Sequence, residues 1–306
     1  MRTLSRTLSL GLPLRRLAAA FLATCLVGQA GAQVLLTGTL KKARDTGAVA
    51  IGYRASSIPF SYMSARGEPI GYAIEICRSL VDAMGEEVGR PLRIDWVPVT
   101  SDSRIDAVVA GQVDLECGST TNNLERQKRV SFSPTTFVSG TKLMVKKGSP
   151  IASFRDLAGK KVLVTAGTTN EKAMRELSDK FKLNLNFIVA RDHADAFAQL
   201  GADQAVAFAT DDVLLYGLLA ENKAQANFAV VGEFLSYDPY GIMFRKGDTQ
   251  LAALVNDSFH RMAEDRDLER SYDRWFLRRL PSGISIDLPM SPQLTTIFQS
   301  LVQKPE

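Results

Sequence analysis

Short apolar segments alternate with segments of helical periodicity along most of this sequence. The apolar segment 48–53 precedes residues 73–84, where apolar side chains recur at helical spacing. A second series of the same kind runs through residues 160–232. Strands that are separated by helices pair in parallel and are covered on both faces. The alternation therefore predicts an α/β fold with mostly parallel sheets.

The alternation breaks twice, near residues 139–141 and 237–240, where a strand follows a loop with no helix before it. Such breaks predict a chain that leaves one domain, builds a second and returns. We expect a discontinuous first lobe, 33–140 with 238–306, and a second lobe, 141–237. Open parallel sheets bind ligands beyond the carboxyl ends of their strands. Two sheets that face each other across paired crossings would form a cleft with a hinge.

The first 32 residues have the features of a cleaved export signal. Residues 1–32 contain four arginines and no acidic residue, and an apolar run at 17–27 is followed by "AGA" at 30–32. The apolar run is shorter than the roughly 20 residues of a membrane-spanning helix. A lipoprotein start at Cys25 is the alternative, but Thr24 fits it poorly. We therefore predict a soluble exported protein with a signal peptide at 1–32.

Charge gives no reason to expect a nucleic-acid partner. The full chain has 37 basic and 33 acidic residues, a net charge of +4. Removal of the four signal arginines leaves 33 basic and 33 acidic residues. The rest of the sequence contains no basic run with interleaved aromatic residues. About 270 residues would remain, enough for two modest domains.

Two cysteines, Cys77 and Cys117, lie outside the signal segment. In an oxidising compartment they are candidates for a disulfide, although two separately buried thiols are the alternative. With two cysteines and two histidines we expect no metal site, and nothing indicates a cofactor.

Polar residues follow the predicted strands on the side where a ligand would lie. In the first series these are Arg54, then Ser101 and Arg104, and then Ser119, Thr121 and Arg126; in the second series they are Thr168, His193 and Asp211. Taken singly, each resembles an ordinary surface or helix-capping residue. The repeated occurrence at strand ends is what indicates a binding site.

The chemistry of this set fits a small zwitterion with an extra carboxylate. The three arginines carry planar guanidinium groups that match carboxylates. Thr168 opens a helix, where backbone N–H groups favour an anion. Asp211 and its neighbour Asp212 are acceptors suited to an ammonium. A ligand with more than one carboxylate and one amine would satisfy them all.

The segment "ECGSTTNNLERQK" (116–128) resembles the periplasmic amino-acid-binding proteins of ABC importers, solute-binding protein family 3. "YRASSIPFSY", "TSDSRI", "TAGTTNE", "RDHADAF" and "AVAFATDDVLL" support this resemblance. It is strongest to the glutamate/aspartate-binding proteins and covers about residues 40–280. It implies a two-lobed clamshell in the periplasm that closes on one L-amino acid. It also implies a monomer without a cofactor and an inner-membrane ABC permease as partner.

The resemblance also implies roles for individual residues. Arg126 would bind the α-carboxylate, helped by Thr121 and the Thr168 backbone, and Asp211 would bind the α-ammonium. The side-chain carboxylate would be surrounded by Arg54, Ser101, Arg104, Ser119 and His193. The preference between aspartate and glutamate is not predicted, because it depends on pocket depth.

Three alternatives remain open. A periplasmic enzyme on the same scaffold, such as a prephenate or arogenate dehydratase, would also need arginines, with His193 or Glu116 as general acid. A sensor or a lytic transglycosylase would need further domains. A binding protein for a dicarboxylate without an amine is the third alternative, and it depends on whether Asp211 faces the cleft.

Overall fold

The computed structural model describes Thr3, residues 35–283 and residues 285–303. The described helices and strands lie in one compact unit, Thr37–Glu306. The predicted signal peptide, 1–32, falls outside the described residues apart from Thr3. Within the described part, no helix combines the length and the apolar character that crossing a bilayer requires.

The described strands fall into two five-stranded sheets, a crossing pair and a small three-stranded sheet. In chain order they are β1 (Ala48–Tyr53), β2 (Ser56–Ser57), β3 (Ser61–Met63), β4 (Pro69–Ile70), β5 (Arg93–Pro98), β6 (Leu115–Glu116), β7 (Val130–Phe132), β8 (Phe137–Ser139), β9 (Thr141–Lys146), β10 (Lys161–Thr165), β11 (Asn186–Ala190), β12 (Ala207–Asp211), β13 (Phe228–Val231), β14 (Asp238–Tyr240) and β15 (Met243–Arg245).

The described helices cover both faces of the two large sheets. They are α1 (Gly38–Thr46), α2 (Tyr72–Val88), α3 (Arg104–Val109), α4 (Leu124–Gln127), α5 (Thr169–Phe181), α6 (His193–Gly201), α7 (Asp212–Glu221), α8 (Thr249–Glu264), α9 (Asp267–Tyr272) and α10 (Pro292–Val302). A 3₁₀ turn at Phe154–Leu157 and a π-helical turn at Asp273–Leu277 complete the set.

The two large sheets share one topology. The sheet of the first lobe has the order β5-β1-β6-β15-β7, and that of the second lobe has the order β11-β10-β12-β9-β13. In each sheet four strands run in one direction, and the exceptions are β15 and β9. Each exception directly follows a crossing strand, with no helix to reverse the chain. The α/β class, the mostly parallel sheets and the two lobes agree with the sequence-based prediction.

Burial on both faces explains the apolar runs in the sequence. In β10, Val162, Leu163 and Val164 are all inaccessible to solvent. Val162 and Val164 pack in one core cluster and Leu163 in another, on opposite sides of the sheet. A strand that is covered by helices on both faces has no exposed side, so it carries apolar residues without alternation.

The crossing strands β8 and β14 pair antiparallel, with Phe137 opposite Tyr240. Phe60 packs edge-on against both rings, with centroid distances of 5.1 Å to each. Phe276 stacks on Phe137 at 5.0 Å. This aromatic cluster packs the crossing strands against the body of the first lobe.

A disulfide joins Cys77 on α2 to Cys117, which follows β6. It closes a loop with a sequence separation of 40 residues. A cross-link of this span restricts the unfolded chain, so we expect the double variant Cys77→Ala/Cys117→Ala to lose about 2–4 kcal/mol of unfolding free energy. Urea denaturation measures the loss, and wild-type protein in reductant is the matched comparison. Equal stability of the oxidised wild type and the double variant would contradict a stabilising role.

Candidate functional site

A narrow cleft lies between the lobes at the carboxyl ends of the parallel strands. Both lobes line it: the first with Ser101, Arg104, Ser119 and Thr121, the second with Thr168, Thr169, Asn170, His193, Asp211 and Leu214. Seven of the nine predicted binding residues line it, and the other two, Arg54 and Arg126, are buried close by.

Arg54 and Arg104 form a cationic end of the cleft. Their exposed fractions are 1% and 2%. Arg104 Nη1 donates to the Ser119 carbonyl at 3.2 Å. Arg104 Nε and Arg54 Nη1 are buried and have no hydrogen-bond partner among the described residues. Burial and the proximity of Arg104 lower the pKa of Arg54 to about 9, so Arg54 is cationic at neutral pH. Burial also lowers the pKa of Arg104, and Glu116 opposes this effect. A buried cation with an unused donor favours an anion beside it.

Glu116 is a buried counter-charge for the arginines, and the sequence analysis named it only as a general acid in the enzyme alternative. It lies on β6 and is inaccessible to solvent, and one of its carboxylate oxygens accepts a hydrogen bond from Thr120. Its charge raises the pKa values of Arg54, Arg104 and Arg126, opposing the effect of their burial. Asp238 also raises the pKa of Arg126, whereas Asp211, with a pKa raised to about 8, is protonated at neutral pH. Three guanidinium groups against the carboxylates of Glu116 and Asp238 leave a formal excess of one positive charge.

Gly118 explains how Glu116 and Arg54 come close together. A Cβ atom at this position would lie 2.5 Å from a Glu116 carboxylate oxygen and 2.8 Å from Arg54 Cγ. No larger residue fits between the two side chains without moving them. The glycine in the segment 116–128 is therefore required by packing of charged groups at the cleft.

Arg126 lies where the two lobes meet. Its Nη1 donates to the Thr121 carbonyl at 2.9 Å, and its Nη2 donates across the cleft to the Gly167 carbonyl at 3.3 Å. Asn123 caps the short helix α4 by accepting from the Arg126 backbone N–H, which fixes the start of the side chain. Burial lowers the pKa of Arg126 to about 10, so it too remains a cation.

The lobes are in contact around this point. Thr121 and Thr169 share a hydrogen bond of 3.2 Å across the cleft. Gly167 has a φ of +70°, and a Cβ there would lie 2.6 Å from the Asp102 Cα of the other lobe. At the outer edge, Lys172 pairs with Glu125 at 2.6 Å. The structure therefore represents a closed arrangement of the lobes.

Thr168 is the N-cap of α5. Its hydroxyl accepts from the Glu171 N–H at 3.1 Å and donates to the Thr165 carbonyl at 2.7 Å. Because these two bonds engage the hydroxyl, the backbone N–H groups of this helix start are what Thr168 leaves to face the cleft, and its role toward a ligand stays a prediction.

His193 begins α6 and is 1% exposed. Its Nδ1 lies 3.0 Å from the Thr165 hydroxyl. Burial and the nearby cations Arg54 and Arg104 hold its pKa well below the ordinary value. The ring is therefore neutral at pH 7, and it can offer a hydrogen bond but no charge.

Asp211, at the end of β12, is the acceptor in the cleft. Asn170 Nδ2 donates to its Oδ1 at 2.9 Å, and the Tyr240 hydroxyl donates to its Oδ2. Burial, with a contribution from Asp238, raises the pKa of Asp211 to about 8, while these two hydrogen bonds oppose the rise. The sequence analysis missed Asn170 and Tyr240. The segment "TTNE" placed Asn170 at a helix start, but nothing in the sequence pattern indicated that its side chain points toward Asp211.

The chain is similar to known proteins in family pattern, in sequence and in fold. Residues 49–278 match the family model of the bacterial extracellular solute-binding proteins, family 3. An L-glutamate/L-aspartate-binding protein of Pseudomonas aeruginosa is 42% identical over 88% of this chain and 90% of that protein. A glutamate/aspartate import solute-binding protein of Escherichia coli is 38% identical, with coverage of 85% and 87%.

A solved structure shares both fold and sequence features. It is an ancestral amino acid-binding protein described as a precursor of cyclohexadienyl dehydratase, with a TM-score of 0.67 and 30% identity. The match covers 78% of this chain and 99% of that one.

Proposed function

Because the chain belongs to the bacterial extracellular solute-binding proteins, family 3, we propose that it captures L-glutamate or L-aspartate and delivers it to an ABC importer. A solute-binding protein holds its ligand without covalent change, so binding replaces the dehydratase interpretation. The sensor and transglycosylase interpretations are likewise set aside. The proposed location is the periplasm, reached through the predicted signal peptide, and the proposed state is a monomer that docks on an inner-membrane permease.

The cationic end of the cleft carries this proposal. Arg104 and Arg54 each retain a buried N–H donor without a partner among the described residues. Burial of a charge is costly unless it is paired and hydrogen-bonded. A side-chain carboxylate would supply both the charge and the acceptors. The amide of glutamine or asparagine would leave the excess positive charge uncompensated.

The remaining polar groups fit the common part of an amino acid. Arg126 is proposed to bind the α-carboxylate and Asp211 the α-ammonium. Asp211 lines the cleft, which favours a ligand with an amine over a plain dicarboxylate. The names of the relatives from Pseudomonas aeruginosa and Escherichia coli, which specify glutamate and aspartate, support the same ligand class.

Closure is proposed to depend on a ligand that contacts both lobes. We assign 33–140 with 238–306 to the first lobe and 141–237 to the second, with β8 and β14 as the hinge. A ligand held by Arg104 of one lobe and Asp211 of the other binds the closed state better than the open one. It therefore shifts the population toward closure.

A thermal-shift screen of the mature protein tests the proposed function. The panel contains the common amino acids together with C4 and C5 dicarboxylates. A ligand at a hundred times its Kd stabilises by about 2.7 kcal/mol, which raises Tm by roughly 5–10 °C for a chain of this size. We expect that shift for glutamate or aspartate. A larger shift with glutarate or succinate would transfer the assignment to a non-amino dicarboxylate.

Glutamate binding is expected to release a proton from Asp211 near neutral pH. In the closed arrangement without a ligand, the raised pKa, about 8, keeps Asp211 protonated below that value. A bound ammonium favours the ionised carboxylate and lowers the pKa, so affinity should rise with pH up to about 8, approaching tenfold per pH unit. Calorimetry at pH 7 in two buffers with different ionisation enthalpies measures the release, and Asp211→Asn should abolish it. Identical heats in both buffers for the wild type would contradict the prediction.

A further inference from the structure

Asp238 is a buried carboxylate beside the cleft that has no role in the proposed binding scheme so far. It lies at the start of the crossing strand β14 and is 2% exposed. Its Oδ1 accepts a hydrogen bond from Thr121 Oγ1 at 3.1 Å, and its Oδ2 accepts from the Ser236 hydroxyl. Within the described residues, no lysine or arginine forms an ion pair with it.

The hydrogen bond to Asp238 determines what Thr121 can offer to a ligand. A threonine hydroxyl has one hydrogen, and Thr121 donates it to Asp238. Thr121 therefore presents only lone pairs elsewhere. One lone pair can accept from Thr169, 3.2 Å away on the other lobe. The other is available on the cleft side, because Thr121 lines the cleft.

The surrounding contacts hold this arrangement in place. Arg126 Nη1 fixes the Thr121 backbone carbonyl at 2.9 Å. The Thr121 backbone also bridges to Tyr240, two residues after Asp238 on the same strand. Tyr240 in turn donates its hydroxyl to Asp211. The crossing strand β14 thus contacts both Thr121 and Asp211.

We propose that Asp238 is a positioning residue that selects for a protonated amine by fixing Thr121 as an acceptor. With Asp211, the Thr121 hydroxyl then forms an acceptor corner that an ammonium satisfies. The resemblance implied that Thr121 helps Arg126 hold the α-carboxylate, and the hydrogen-bond directions favour the amine instead. This inference rests on the proposed function and gives the hinge strand a part in ligand selection.

The Asp238→Asn variant tests the proposal. The asparagine amide can donate to Thr121, which would turn the hydroxyl hydrogen toward the ammonium. We expect glutamate to bind roughly tenfold to a hundredfold more weakly, the range for one hydrogen bond to a charged group. Calorimetry with glutamate on the wild type comes first: absence of binding there refutes the proposed function itself, and with it this inference.

A double-mutant cycle separates positioning from a general structural effect. Thr121→Val removes the hydroxyl and keeps the shape, and Thr121→Ser is the matched control that keeps the hydroxyl. If Asp238 acts through Thr121, Asp238→Asn adds no further loss to Thr121→Val. Two outcomes would overturn the inference while leaving the proposed function intact. One is that the fold-losses in glutamate affinity of the two single variants multiply in the double variant, and the other is that Asp238→Asn binds glutamate with wild-type affinity.

Thermal unfolding shows whether Asp238→Asn is folded. If it is not, the two threonine variants decide the matter. Thr121→Ser should retain glutamate binding. Thr121→Val should bind glutamate more weakly, by a factor similar to that expected for Asp238→Asn. Wild-type affinity of folded Thr121→Val would overturn the proposal, because the hydroxyl would then have no part in binding.

Discussion

Arg126→Ala is expected to weaken the binding of every amino acid by roughly 2–5 kcal/mol, the usual cost of removing one member of a buried charge pair. The proposed partner of Arg126 is the α-carboxylate, which all amino acids share. Its guanidinium also bonds to Thr121 of one lobe and Gly167 of the other, so its loss removes a contact that favours closure. Calorimetry with glutamate, aspartate and glutamine measures the effect.

Arg129→Ala is the matched control for this experiment. Arg129 lies three positions further along the chain, is exposed and pairs with Asp106 on the surface. An exposed pair contributes about 0–1 kcal/mol to stability, and Arg129 is not among the residues that line the cleft, so ligand affinity should change much less than in Arg126→Ala. If Arg126→Ala weakened the binding of glutamate and left the binding of glutamine unaffected, Arg126 would contact the ligand's side chain and not its α-carboxylate.

Arg104→Ala is expected to act selectively. Glutamate and aspartate should bind more weakly by roughly 2–5 kcal/mol because their side-chain carboxylate loses a buried partner. Any binding of glutamine should change much less, since a neutral amide gains little from the charge. The ratio of glutamate to glutamine affinity should therefore fall, and calorimetry with both ligands measures it.

The control for Arg104 is Arg93→Ala. Arg93 is exposed on β5 and pairs with Asp95, again at the surface. Equal losses for glutamate and glutamine in Arg104→Ala would show that Arg104 supports the cleft without recognising the acidic group. Unchanged glutamate binding would remove Arg104 from the site altogether.

The fold was largely predictable because its main signals are local. Alternation of strands and helices depends on local periodicity. The two breaks in that alternation lie where the crossing strands β8 and β14 lead into β9 and β15, which run against their neighbours. The small strands β2, β3 and β4 were missed, since two or three residues carry too little pattern. The family resemblance, supported by motifs along the chain, supplied the clamshell arrangement.

The site was predictable at the level of residue type and less so at the level of partners. Polar residues at strand ends meet because the carboxyl ends of parallel strands share one edge. The contact of Thr121 with Asp238 spans 117 residues, and no sequence pattern links them. Glu116 was considered only as a general acid of the enzyme alternative, and its burial beside Arg54 is evident only from the packing around Gly118.

The most direct test of this account is calorimetry of the wild-type mature protein with glutamate, aspartate, glutamine and asparagine. Buried guanidinium groups without partners predict that the acids bind more tightly than their amides by at least about 2 kcal/mol, roughly thirtyfold. Equal affinity for glutamate and glutamine would show that the cationic end of the cleft does not distinguish a charged side chain of the ligand from a neutral one.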